Sequence, residues 1–149
     1  MLNGINLTSK AGEKVGLVGA SGGGKSTLVQ IILGLYPVQE GKLYFNNVPV
    51  EQIGLDVVRE HVAVVLQHPA LFNASVRNNL TLGRTLDDTH LWQALEVAQL
   101  HETIAALPEQ LDSLIGRQGV RFSGGQRQRL AIARMILANP QVVILDEAT

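Results

Sequence analysis

The run Gly19-Ala20-Ser21-Gly22-Gly23-Gly24-Lys25-Ser26 constrains this chain more than any other feature. It has the form G-x-x-x-x-G-K-[ST], a loop that works only between a strand and a helix. Its glycines let the backbone curl until several N–H groups point inward at phosphates. The helix behind them aims the positive end of its dipole at the same place. Both neighbours are legible. Val15-Gly16-Leu17-Val18 reads as a buried strand, and residues 26–33 read as a helix with Gly34 placed to end it. In that frame Lys25 reaches the outer phosphates of a nucleotide and the Ser26 hydroxyl suits Mg²⁺. Strand, loop and helix in that order predict an α/β domain built on a parallel sheet.

Two more apolar runs, residues 62–66 and Val142-Val143-Ile144-Leu145, are rich in β-branched residues and lack polar alternation. Such runs are expected as strands of a sheet covered on both faces. Asp146-Glu147 follows the second run directly, where open α/β sheets bind their ligands. Asp146 there holds Mg²⁺ through water, and Glu147 orients or polarises the attacking water. Leu43-Tyr44-Phe45, Asn46-Asn47 and Val48-Pro49-Val50 predict a small antiparallel hairpin turning at the asparagines. Residues 87–107 read as helical. Leu91, Leu95 and Ala98 share one face, Trp92 and Val97 join it, and Pro108 closes the segment. Trp92 reads as packing rather than as a ligand platform.

Phe122-Ser123-Gly124-Gly125-Gln126 has the form of a capping box with an apolar residue ahead of it. It predicts a helix from Ser123 to about Leu137, stopping before Asn139-Pro140. Paired glycines at its start weaken that helix relative to alanine. Their use is to let another backbone or a phosphate approach the exposed N–H groups closely. A second anion site in a chain that already has one points to one nucleotide gripped by two surfaces.

The 149 residues suffice for one domain or most of one, and 46% apolar against 17% charged residues allow a real core. A net charge of −1 speaks against a dedicated nucleic-acid surface. Five of the twelve basic residues, Arg117, Arg121, Arg127, Arg129 and Arg134, cluster before and within the last helix. They read as a solvated face with ion pairs. Absence of cysteine excludes disulfides and thiolate metal sites. No apolar run is long enough to span a membrane and the N-terminus is not a signal peptide, so membrane association needs a partner or another part of a longer chain.

These residues together resemble the ATPase domain of ABC transporters, over essentially the whole chain. Residues 19–26 are similar to the family's Walker A loop and residues 142–147 to its Walker B strand with catalytic glutamate. Residues 122–126 are similar to the LSGGQ signature, with Phe122 in place of leucine. Gln67, after the second strand, falls at the Q-loop position. The resemblance implies a P-loop NTPase core with a parallel sheet, a small antiparallel β appendage and an inserted helical subdomain at about residues 75–138. It implies ATP and Mg²⁺ as cofactors, with Gly19, Ser21, Gly22, Gly23, Gly24, Lys25, Ser26 and Thr27 around the nucleotide. Ser26, Gln67 and Asp146 fall to the metal, and Glu147 and Gln67 to catalysis. It implies a head-to-tail pair with a second ABC ATPase domain, in which Ser123, Gly124, Gly125 and Gln126 act on the partner's ATP. It further implies transmembrane transport domains, fused or separate, a place on the cytoplasmic face of a membrane, and no nucleic-acid partner.

Residues 71–80 are similar to the segment after the Q-loop in exporter-type members, although Arg117 stands where exporters carry a glutamate. The family's adenine-stacking aromatic, D-loop and switch histidine are expected outside the 149 residues. None of His61, His68, His90 and His101 stands at the switch position. The chain alone is therefore expected to hydrolyse ATP weakly or not at all. Two other readings are an ABC ATPase of DNA repair or chromosome maintenance, and a truncated module that only binds.

Overall fold

The computed structural model describes residues 2–146, and the chain divides into two compact units, Met1–Arg59 and Glu60–Thr149. In the first unit α1 (Lys25–Ile32) starts directly behind the glycine loop. Its end is built by Leu33, which caps it, and Gly34, whose φ of 67° lies in the left-handed region. The Gly34 N–H donates to the Ile31 carbonyl (2.9 Å) and the Leu35 N–H to Gln30 (2.8 Å), the paired bonds of a Schellman ending. Arg59 satisfies two more carbonyls there, donating from Nε to Leu33 (3.0 Å) and from Nη2 to Gly34 (3.2 Å). The hairpin forms where the asparagines predict it: β1 (Tyr44–Phe45) runs antiparallel to β2 (Val48–Pro49). Asn46 (φ 50°) and Asn47 (φ 63°) both take the left-handed conformation that a two-residue turn of matching twist requires. Two short helices follow, α2 (Val50–Ile53) and α3 (Leu55–His61).

The strand expected at residues 15–18 does not form. The stretch is irregular and exposed, with Val18 98% accessible. A parallel strand takes its backbone hydrogen bonds from strands on its flanks. Among the described residues none pairs with it, and apolar character alone does not substitute for a partner.

In the second unit β3 (Val62–Val65) and β6 (Val142–Leu145) pair in parallel, from Val62↔Val142 to Val65↔Leu145. The parallel sheet is thus observed, but β6 is not covered on both faces, because Val143 and Leu145 are exposed. Between the two strands the chain forms β4 (Ala74–Ser75), α4 (Val76–Thr81), α5 (Asp88–Val97), α6 (His101–Ala105), a 3₁₀ turn (Gln110–Asp112), β5 (Leu114–Ile115) and α7 (Gly124–Ala138). β4 and β5 pair antiparallel. Leu80, Leu91, Leu95, Leu100, Ile115 and Leu130 are fully buried and bring these elements onto one core. Each such side chain contributes about 1.5–3 kcal/mol through burial.

The helical stretch at 87–107 is two helices, not one. Gln99 takes φ 58°, and the N–H groups of Gln99 and Leu100 donate back to Glu96 (3.0 Å) and Leu95 (2.9 Å). That ending turns the chain so that Leu100 is buried while Val97, expected on the inner face, is 67% exposed. Trp92 packs against the core, its ring 5.0 Å from that of His101.

Candidate functional site

The glycine loop is a tight turn whose Gly23 N–H donates to the Ala20 carbonyl (3.0 Å). Gly22 (φ 79°) and Gly24 (φ 87°) hold left-handed conformations that a side chain resists. Gly24 is also the N-cap of α1, and having no side chain it leaves the first-turn N–H groups uncapped from within. Ser26 and Thr27 stand exposed on that turn. The Lys25 ammonium folds over the loop, donating to the carbonyls of Gly19 (2.6 Å) and Ala20 (3.1 Å). First-turn N–H groups with no side-chain cap, a helix dipole and one cation are a donor set that fits a polyphosphate.

The other sequence-predicted residues belong to the second unit. The last ladder bond between β3 and β6 runs from the Asp146 N–H to the Val65 carbonyl (2.9 Å). Asp146, level with Leu66, and Gln67, one residue further on, therefore both leave the sheet at the C-terminal ends of its strands, the ligand end of such sheets. Gln67 is exposed, and its carbonyl accepts a hydrogen bond from Gln128 Nε2 (3.1 Å). Glu147 lies outside the described residues. Among the described residues no three His, Asp or Glu side chains gather where they could hold a metal unaided. Mg²⁺ asks for no such cage, since it takes one or two carboxylates and completes its shell with water and phosphate oxygens. The Ser26 hydroxyl and the Asp146 carboxylate are each of a donor type that Mg²⁺ accepts in that mode.

The signature segment forms the predicted capping box. Ser123 Oγ accepts from the Gln126 N–H (3.2 Å) and Gln126 Oε1 from the Ser123 N–H (2.9 Å). Phe122 is buried in the helical core, and Arg127 Nη1 donates to its carbonyl (3.1 Å). Gly124 and Gly125 are exposed. A Cβ at Gly125 would meet nothing within 4 Å, and one at Gly124 only the Arg127 guanidinium at 3.8 Å. Nothing in the packing of the described residues requires glycine at either place.

Among the described residues the basic residues near α7 form no ion pairs. Among the described residues Arg127, Arg129 and Arg134 bond main-chain carbonyls instead. Arg117, Arg121 and Arg127 line an open cleft of about 550 Å³ floored by Leu71 and Phe122. Sequence reasoning missed Asn79 and Arg134. Asn79 is fully buried, and Arg134 donates to its carbonyl from Nε (2.8 Å). Burial holds the Arg134 guanidinium below its ordinary pKa. The one available signal was Asn79 itself, a poor helix former set among the apolar positions of α4.

A family model described as ABC transporter matches residues 2–149. An uncharacterized ABC transporter ATP-binding protein of Bacillus subtilis, YwjA, is 43% identical over 150 residues, covering 100% of this chain and 26% of that protein. An ATP-dependent lipid A-core flippase of Acinetobacter baylyi is 44% identical, covering 97% of this chain and 26% of the flippase. Among solved structures, a bacterial Atm1-family ABC exporter with ATP bound superposes with a TM-score of 0.81 at 32% identity, covering 87% of this chain and 23% of the exporter's. The chain spans about a quarter of these relatives. The glycine loop, the parallel strands with Asp146 at their edge and the capped Ser123-Gly124-Gly125 turn agree with that match. The chain belongs to the ABC transporter family, and within it is similar to members of the exporter type.

Proposed function

We propose that the chain is the ATP-binding and ATP-hydrolysing domain of an exporter-type ABC transporter, turning ATP-driven closure of two such domains into transport across a membrane. The loop from Gly19 through Ser21, Gly22, Gly23 and Gly24 to Thr27 cradles the phosphates by its N–H groups, and Lys25 adds the mobile charge. Ser26, Gln67 and Asp146 hold Mg²⁺, which when bound offsets charge on the phosphate oxygens. Glu147 orients the attacking water and Gln67 reports the state of the metal. The helical subdomain, about residues 75–138, carries Ser123, Gly124, Gly125 and Gln126 to the nucleotide of a second ABC ATPase domain, head to tail. The assembly sits on the cytoplasmic face of a membrane against transmembrane domains, on the same chain or another, and Arg117 contacts that partner.

The observation that carries this reading is the exposed glycine pair at the start of α7. Glycine there costs up to about 1 kcal/mol per residue against alanine, and packing among the described residues gives no return for it. Close approach of a phosphate from outside does. The DNA-repair reading is not favoured, since the segment between Gln67 and Ser123 folds into short elements, the longest being α5 with 10 residues, and contains no coiled coil. In the full-length protein Ser123→Arg is expected to abolish ATP-driven dimerisation in sedimentation while ATP binding to the monomer stays nearly intact. Equal loss of both would show that the segment serves its own subunit.

A further inference from the structure

Gln67 stands past the end of β3, and among the described residues no ladder bond between the strands reaches it. Among the described residues its backbone is held by α7. Gln128, one turn into that helix, donates from Nε2 to the Gln67 carbonyl (3.1 Å). Arg134, further along, donates to the carbonyls of Ala70 (3.4 Å) and Asn79 (2.8 Å) and to Asn79 Oδ1 (3.3 Å). Asn79 in turn folds the intervening segment around itself. Its Oδ1 accepts from the Phe72 N–H (2.8 Å), and its Nδ2 donates to the carbonyls of Phe72 and Ser75 (3.0 Å each). Residues 67–79 are thus gripped at both ends by side chains of one helix. That helix begins with Ser123-Gly124-Gly125.

We propose that Gln128 is a positioning residue for Gln67: its bond to the Gln67 carbonyl sets the place of the metal-sensing side chain relative to the helix that carries the signature. This rests on the role given above to Gln67. In the head-to-tail pair the signature meets the partner's nucleotide while Gln67 meets its own. Movement of α7 on one nucleotide is therefore delivered to Gln67 beside the other, through one hydrogen bond.

The test uses the full-length transporter and reads the Mg²⁺ concentration giving half-maximal ATPase. Gln128→Glu keeps the side-chain length but faces a carboxylate to a carbonyl, and Gln128→Met removes the donor should the charged variant fold poorly. Either is expected to raise the Mg²⁺ requirement roughly three- to tenfold, the span of one lost hydrogen bond. Gln128→Lys, which keeps a donor, is expected to restore most of it. In a Gln67→Ala background neither variant should add a further shift, and the nucleotide-free melting temperature should change little. If Gln67→Ala shifts the Mg²⁺ requirement but the Gln128 variants do not, or if their shifts add to it, the positioning role is wrong and the reading of Gln67 stands. If Gln67→Ala shifts nothing, that reading fails and takes the proposal with it.

Discussion

Arg77 binds two carboxylates, Asp88 through both guanidinium arms and Asp112 from Nε (2.8 Å), and so ties the starts of α4 and α5 to the 3₁₀ turn. Hydrogen bonds from Arg77 hold both Asp88 and Asp112 below the usual carboxylate pKa, and the same bonds raise that of Arg77. A carboxylate with a depressed folded pKa stabilises the fold above its unfolded value, about 3.9, and loses that contribution as pH falls through the folded value. Arg77→Gln is therefore expected to lower the melting temperature at neutral pH, with the gap to wild type closing below about pH 4. Both carboxylates are largely exposed, so the effect is modest. A gap that stays constant down to pH 3 would show that Arg77 acts by packing alone. At this scale the sequence reveals what is local. The Ser123–Gln126 box lies within four residues and is readable, whereas Asn79 and Arg134, 55 positions apart, meet only through the fold.

Among the elements, the hairpin, α1 and α7 begin and end where turn and cap chemistry place them. Each boundary is set by residues beside it: Asn46-Asn47, Gly34, Ser123 and Asn139, which ends α7 with φ 46°. Elements that depend on distant partners were less legible. Residues 15–18 have the composition of a strand without a described neighbour, and Gln99 turns the chain with no glycine to announce it. α7 also supplies the sharpest separation of folding from function. Gly125→Ala has room within the chain and gains helix propensity of up to about 1 kcal/mol. Its melting temperature should match or exceed wild type, while ATP-driven dimerisation weakens. Unimpaired dimerisation would remove the reason offered for the glycine pair.

For the molecule as a whole, the glycine loop and the acidic strand end were enough to indicate an α/β fold with a parallel sheet, and the match to an exporter structure agrees. The placement of Gln67 and Asp146 on one sheet edge follows from the parallel register. The tie between that edge and α7 does not follow from any motif, because it joins a side chain to a main-chain carbonyl 61 positions away. The proposed grip of the glycine loop on ATP is tested most directly by titrating MgATP into the full-length protein and its Lys25→Ala variant. Loss of the charged contact from Lys25 should weaken binding about ten- to hundredfold with the fold intact. An affinity equal to that of wild type would contradict it.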